Sequence, residues 1–312
     1  MSAETGTKAV LAALGANLGL AVTKFLAFVL TGSTAMLAES VHSVADSGNQ
    51  ILLLVGARRA RREATEDHPF GYSRSRYYYA FLVAVVLFTV GGLYAITEAW
   101  HKFSHPEAIE AWVWVPFTVL GVGIVLESLS LRTAIRESNL VRGSLGWVAF
   151  IRRSRSPELP VILLEDLAAL MGLVFAFAGV GLTVATGDGR WDAVGTAAIG
   201  LLLVVVALIL GVETKSMLMG ESVTPEDLTL IRGALTESDL DEVIHLRTMH
   251  LGPNDVLVAV KVALDGGLPL TRVAALVDAA EERIRAAVPA ARLIYIETDV
   301  RRPKTGTGTR KR

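Results

Sequence analysis

The sequence contains no cysteine, and its charges balance, with 30 lysine and arginine residues against 31 aspartate and glutamate residues in 312 positions. The lack of cysteine excludes disulfides, thiolate metal sites and cysteine nucleophiles. A net charge near zero gives no electrostatic reason to expect a nucleic-acid partner. Any transition-metal site must therefore use histidine, aspartate or glutamate, a ligand set that favours borderline ions such as Zn²⁺ over Cu⁺.

Apolar residues, in contrast, make up 52% of the chain and gather in long runs. A helix needs about 20 apolar residues to cross the hydrocarbon core of a bilayer. The segment before the first run, Met1–Thr7, is too short and polar for a signal peptide, so the first run is expected to remain as a span. The pattern predicts an all-α membrane domain over residues 8–216, a six-helix transmembrane bundle with spans near 9–30, 34–56, 78–100, 112–131, 159–185 and 192–213.

Arginine and lysine are distributed unevenly among the loops between these runs. The loop after the second run and the loop after the fourth carry six arginines each, whereas the third loop has only Lys102 and the fifth only Arg190. Loops rich in positive charge stay in the cytoplasm. The asymmetry predicts an integral, multi-pass protein of the plasma (inner) membrane with both termini cytoplasmic.

After Gly220 the sequence changes from apolar to charged and amphipathic. The periodicity predicts, in chain order, a helix, two strands, a helix and a strand, near 225–237, 243–251, 255–264, 270–287 and 291–298. An αββαβ order indicates a small cytoplasmic α+β, ferredoxin-like domain over residues 221–301, with its helices on one face of the sheet. The tail 302–312 is basic and rich in glycine and threonine, so we expect it to be disordered.

Charged residues interrupt two of the predicted spans. His42 and Asp46 are four residues apart in the second run, so they share one face of a helix. Glu39 either joins that face or reaches the interface, and the fifth run contains Glu165 and Asp166. A charged carboxylate at the bilayer centre costs about 2.5–3.5 kcal/mol. A bound dication would offset that cost.

Imidazole and carboxylate together form a ligand set of the Zn²⁺ type. Binding requires neutral histidine and ionised aspartate, so metal loading releases protons and couples the metal to a proton gradient. A purely structural role for these residues is the alternative. Lys24 and Glu127, which also lie in apolar runs, are expected near the interface or paired with other residues rather than as ligands.

These features resemble the cation diffusion facilitator family over roughly residues 8–299. The resemblance is sharpest in GSTAMLAESVHSVAD at 32–46, in HPFGY at 68–72 and where the sixth run leads into Met219-Gly220-Glu221. SVADSGNQ at 43–50, with Leu164-Glu165-Asp166, is most similar to the branch that includes the animal mitochondrial zinc transporter. The resemblance implies a homodimer with six membrane helices and a cytoplasmic αββαβ domain, which exchanges Zn²⁺ or related ions for protons.

The transport site of that family joins two positions on the second helix to two on the fifth. By resemblance, His42, Asp46 and Asp166 occupy three of them, but the fourth is Ile162. Glu165 is the nearest substitute, although on a helix it points about 100° away from its neighbour. The resemblance therefore implies a metal site formed by His42, Asp46, Asp166 and Glu165.

Two auxiliary metal sites of the family are altered in this sequence. After the second helix, His68 fits one histidine position and Tyr72 takes the other. In the C-terminal domain, His245 and His250 lie out of register, and the matching positions are Ile244, Lys261, Glu297 and Asp299. Because Lys261 would repel a cation, we expect no zinc cluster there and a dimer that forms without metal.

The leading interpretation is a transporter that exports a divalent transition-metal ion, Zn²⁺, in exchange for protons. The altered fifth helix keeps open the same fold acting on Fe²⁺, Mn²⁺ or Co²⁺, and a non-transporting membrane regulator is a third class. An enzyme is not supported, because neither a glycine-rich nucleotide loop nor a nucleophile–base pair stands out. The ion is substrate, so no resident cofactor is expected.

Overall fold

The computed structural model describes the backbone of residues 2–31, 34–106, 114–236, 238, 240 and 242–300. Within the first two helices, several side chains, including those of Glu39 and His42, are outside the described set. The chain divides into two compact units, Met1–Leu218 and Met219–Arg312. Residues 301–312, which include the tail 302–312 for which we predict disorder, lie outside the described residues.

The first unit is helical. Its helices are α1 Ser2–Thr31, α2 Thr34–Arg59, α3 Ser75–Val86, α4 Tyr94–Ser104, α5 Trp114–Arg142, α6 Trp147–Arg153, α7 Glu158–Thr186 and α8 Arg190–Met219. A π-helical segment, Leu87–Leu93, joins α3 to α4 without a break.

Helices overlap all six predicted spans, and four of them are long and apolar enough to cross a membrane. Among the described residues these four are Ser75–Ser104, Trp114–Arg142, Glu158–Thr186 and Arg190–Met219, while α1 contributes a shorter apolar stretch, Val10–Leu26. The polar residues Asp46, Asn49 and Gln50 lower the apolar content of α2. Four spans are therefore supported, and the count of six stays a prediction.

Helix α1 packs against α2, α5 and α7, and α5 packs against α7. The approach of α7 to α8 depends on glycine. A Cβ atom at Gly195 would lie 2.9 Å from the backbone oxygen of Phe175, and one at Gly179 would lie 3.0 Å from that of Trp191. Small residues at such a crossing allow two helix backbones to meet in lipid, where the hydrophobic effect does not drive helices together.

The second unit consists of α9 Pro225–Thr236, β1 Glu242–Gly252, β2 Asp255–Leu264, α10 Leu270–Ala287 and β3 Ala291–Val300. The sheet order is β1-β2-β3, with β1 antiparallel to β2 and β2 parallel to β3. A parallel pair needs a crossover connection, which α10 supplies. The αββαβ order is the predicted one, whereas the ferredoxin-like classification stays a prediction.

Alternation along β2 defines the covered face of this sheet. Val256, Val258, Val260 and Val262 are buried, while the residues between them, including Lys261, are only half-buried. The buried valines join a core with Ile231, Leu235 and Ile284 from the two helices. Lys261 is therefore on the opposite face of the sheet from the helices.

Candidate functional site

A group of polar side chains lies among α1, α2, α5 and α7. All but the half-buried Asp46 are buried, and the group comprises Asn17, Lys24, Ser43, Asp46, Ser47, Asn49, Gln50, Glu127, Ser130, Glu165 and Asp166. Burying polar groups costs free energy unless they are paired. The contacts within this polar cluster therefore indicate what it does.

Two amides from α2 hold the carboxylate of Glu165 on α7. Asn49 Nδ2 donates to Glu165 Oε1 at 3.0 Å, and Gln50 Nε2 donates to Oε2 at 3.1 Å. Asn17 on α1 extends the chain, because its Nδ2 donates to Gln50 Oε1 at 3.2 Å. These hydrogen bonds link α1, α2 and α7. The role of the amides is not predictable from the sequence pattern, which singles out only the charged residues.

The neighbouring carboxylate, Asp166, is held from α5. Ser130 Oγ donates to Asp166 Oδ2 at 2.7 Å, and both residues are buried. Glu127 lies one turn before Ser130 on the same helix, and it is also buried. The carboxylates of Asp166 and Asp46 act electrostatically on Glu127, as does the ammonium of Lys24.

The structure thus brings four carboxylates to one region: Asp46, Glu127, Glu165 and Asp166. Glu127, which the sequence predicts near the interface or paired with other residues, lies buried near the middle of α5, and the charge of Lys24 acts on it.

Lys24 on α1 is the cation of the cluster. It is buried, and its Nζ donates to Ser43 Oγ at 3.0 Å. It also acts on Glu127 through its charge. Among the described residues of the cluster, this positive charge offsets part of the negative charge that the four carboxyl groups carry when they are ionised.

The described side chains do not form a closed metal site. Among them, no three His, Asp or Glu residues converge closely enough to hold an ion. His42 lies one turn before Asp46 in α2, but its side chain is outside the described set. Ile162 is completely buried in the apolar core. On α7, the candidate ligands are therefore Glu165 and Asp166, and both are held by hydrogen-bond donors.

The altered auxiliary positions make other contacts. The rings of His68 and Tyr72 stack with centroids 4.4 Å apart. In the second unit, Lys261 Nζ lies 2.7 Å from Glu297 Oε1 and 3.3 Å from Asp299 Oδ2. Hydrogen bonds with Glu297 and then Asp299 raise the pKa of Lys261 above its ordinary value. The lysine therefore supplies a positive charge between these two carboxylates.

A family comparison identifies the helical unit that carries the polar cluster. Residues 10–219 match the family model described as the cation efflux transmembrane domain. The chain belongs to the cation efflux, or cation diffusion facilitator, family. Membership in this family makes it an integral, multi-pass membrane protein of a transporter class.

Similar cation efflux proteins come from animals, plants and bacteria. The chain is 32% identical over 247 residues to "Proton-coupled zinc antiporter SLC30A9, mitochondrial" of Xenopus laevis, an alignment covering 78% of this chain and 44% of that protein. It is 28% identical over 266 residues to "Metal tolerance protein C4" of Arabidopsis thaliana, covering 83% and 57%. It is 24% identical over 289 residues to "Cation-efflux pump FieF" of Klebsiella pneumoniae, covering 92% and 91%. This chain spans less than half the length of the SLC30A9 protein.

Proposed function

We propose that this cation efflux protein exchanges a divalent transition-metal ion, Zn²⁺ foremost, for protons. His42, Asp46, Asp166 and Glu165 form the transport site, and Glu127 adds a further negative charge beside it. The observation that carries the proposal is the meeting of four carboxylates from α2, α5 and α7 within one region of the polar cluster. The name of the SLC30A9 relative, a proton-coupled zinc antiporter, supports the ion and the coupling.

The exchange follows from competition for the same oxygen atoms. A divalent ion neutralises carboxylates whose oxygen atoms otherwise accept hydrogen bonds, as Asp166 accepts one from Ser130. Protons bind the same carboxylates and the imidazole of His42, so a high proton concentration on one side releases the ion there. Rocking of the helices around the fixed site changes the side that it faces, as alternating access requires.

A harder ion is the second candidate substrate. The position at which the family resemblance implies a ligand on α7 is the buried Ile162, and the acidic groups of the described cluster offer oxygen atoms only. Oxygen donors suit Mn²⁺ and Fe²⁺ better than they suit soft ions. Uptake measured across Zn²⁺, Mn²⁺, Fe²⁺ and Co²⁺ decides the order of preference.

Membrane, orientation and assembly belong to the same proposal. The arginine-rich loops support cytoplasmic termini. We propose the plasma (inner) membrane, while the name of the SLC30A9 relative points to mitochondria for that protein. We further propose a homodimer joined through residues 221–301. Native mass spectrometry in mild detergent, with monomer as the contrary result, measures the assembly.

The deciding experiment is metal-driven proton movement in vesicles. Purified protein in sealed vesicles that contain a pH-sensitive dye should couple Zn²⁺ uptake to proton release. Asp46→Ala and Asp166→Ala should each abolish both signals, because each removes a ligand. Glu137→Ala, which removes a half-buried carboxylate elsewhere on α5, should leave them intact. Normal transport by both aspartate variants would refute the site.

A further inference from the structure

The two amides that hold Glu165 differ in what their carbonyl oxygens do. Gln50 Oε1 accepts a hydrogen bond from Asn17 Nδ2 at 3.2 Å. Asn49 Oδ1 is fully buried and, among the residues that the structure describes, has no hydrogen-bond partner. Asn49 as a whole is only 2% exposed. Buried amide oxygens nearly always have a partner, so this one requires an explanation such as a bound ion or water.

The orientation of the Asn49 amide follows from its other contact. Its Nδ2 lies 3.0 Å from Glu165 Oε1. Glu165 must be ionised to bind a metal ion, and an ionised carboxylate only accepts hydrogen bonds, so in that state a flipped amide would set oxygen against oxygen. With Glu165 ionised, the unpartnered atom is the carbonyl oxygen of Asn49, as the structure has it.

The unpartnered oxygen, Asn49 Oδ1, belongs to a residue that lies close to carboxylates of the polar cluster. Asp46 is three residues before Asn49 on α2, so both residues lie on the same helix face. The charge of Asp46 also acts on Glu165, the partner of Asn49. Asn49 is thus hydrogen-bonded to one carboxylate of α7 and lies about one helical turn from the carboxylate of α2. An asparagine carbonyl is a well-established oxygen ligand for hard divalent ions.

We propose that Asn49 Oδ1 is a direct ligand of the transported divalent ion, acting with Asp46 and the carboxylates of α7. This inference rests on the proposed function. Asn49 supplies a neutral oxygen donor from α2, whereas Ile162 on α7 supplies no donor. A neutral donor leaves the charge balance with protons unchanged and shifts the preference of the site toward harder ions.

The rival explanation is that Asn49 only positions Glu165 through its N–H group. Gln50 is the matched control, because it donates to the same carboxylate at nearly the same distance and its own oxygen is already occupied by Asn17. If Asn49 only positioned Glu165, Asn49→Ala and Gln50→Ala would weaken the binding of every ion to the same extent. If the oxygen is a ligand, Asn49→Ala weakens binding further, and the loss is larger for Mn²⁺ than for Cd²⁺.

The test uses the full chain and three ions supplied alone: Mn²⁺, Zn²⁺ and Cd²⁺. We measure equilibrium binding in detergent and uptake into vesicles for wild type, Asn49→Ala, Asn49→Leu, Asn49→Asp and Gln50→Ala. Asn49→Leu removes the oxygen while keeping the volume of the side chain, so it stands in where the alanine variant does not fold. We expect Asn49→Ala and Asn49→Leu to weaken Mn²⁺ binding about tenfold more than Gln50→Ala does, in line with losses seen at altered metal sites. Asn49→Asp, which keeps an oxygen, should retain Mn²⁺ binding.

A double variant separates a direct from an indirect role. Asn49→Ala combined with Glu165→Gln should bind Mn²⁺ more weakly than Glu165→Gln alone, because two donors are then lost. The ligand role is overturned if the double variant equals Glu165→Gln, or if Asn49→Ala matches Gln50→Ala for all three ions. Wild-type protein that binds none of the ions would instead refute the proposed function, and the ligand role with it.

Discussion

At the scale of single residues, Glu127 is a carboxylate buried within a largely apolar part of α5. It lies inside α5, buried, with Asp166 and Asp46 close enough to act on it electrostatically. A carboxylate in such surroundings is unfavourable without a compensating cation. Lys24 supplies one positive charge, and the transported dication would supply more.

The first residue-scale prediction concerns Glu127→Gln. Without this charge the site attracts the dication less strongly. Metal uptake at low ion concentration should therefore fall about tenfold, as metal affinity falls when groups just outside a metal site are removed. Uptake rate against ion concentration measures the change. Glu137→Gln on the same helix is the control, and equal effects of the two variants would contradict a role for Glu127.

The second residue-scale prediction concerns Lys261. Its ammonium lies between Glu297 and Asp299, whose hydrogen bonds raise its pKa, so it is charged at neutral pH. Because the folded pKa is the higher one, the stabilisation by these pairs is complete below the ordinary lysine pKa and is lost only as pH rises through the raised value. At neutral pH, below both values, Lys261 therefore occupies the place that a cation would take.

Lys261→Ala should therefore expose two uncompensated carboxylates and add weak Zn²⁺ binding to the second unit. Calorimetry on the full chain, in an Asp46→Ala background that disables the transport site, should detect the additional binding. Lys215→Ala, which removes an exposed lysine of α8, is the control. Tight binding before any change at Lys261 would show that the second unit already holds metal.

At the scale of helices, the contact between α2 and α7 is made by side chains in the second half of α2 and the first third of α7. Asn49 and Gln50 both reach Glu165, and α1 packs against both helices. Interhelical hydrogen bonds of this kind are worth about 0.6 kcal/mol on average in membranes. They fix the rotation of the helices more than they stabilise the bundle.

This geometry predicts a cross-link. The chain has no native cysteine, so Asn49→Cys with Glu165→Cys is a clean pair for a short bifunctional thiol reagent. It should cross-link efficiently, as seen by gel mobility after cleavage between α5 and α7. Asn49→Cys with Thr183→Cys should not, because 18 residues of helix separate positions 165 and 183 by about 27 Å. Equal cross-linking of both pairs would contradict the packing.

For the whole molecule, the distribution of arginine among the loops predicts how the helices are oriented in the membrane. The loops after the second and fourth predicted spans are rich in arginine, so we predict that they face the cytoplasm. The loop after α4, which follows the third span, should then face the other side of the membrane. Ser104→Cys at the end of α4 should react with an impermeant maleimide added outside intact cells. Arg62→Cys should react only after permeabilisation. Labelling of Ser104→Cys from the cytoplasmic side alone would overturn the topology.

Much of this architecture was predictable because it follows from local patterns. Apolar runs of spanning length located the helices, since lipid requires each span to satisfy its own backbone hydrogen bonds. Periodicity located β1 and β2, and Gly252 pairs with Asp255 at the short connection between the two predicted strands. The candidate residues Asp46, Glu165 and Asp166 were recognisable because charge is rare in apolar runs.

The sequence alone determined where the long helices lie and which charged residues lie within them, but not the short helix α6. Only the tertiary structure decided which polar groups meet: Glu127 with Asp166 across α5 and α7, and Asn49 with Glu165 across α2 and α7. The physical reason is that helices in lipid have no apolar face that must be hidden from water. Their rotation depends on close packing and on a few interhelical hydrogen bonds, which no periodicity along a single chain records.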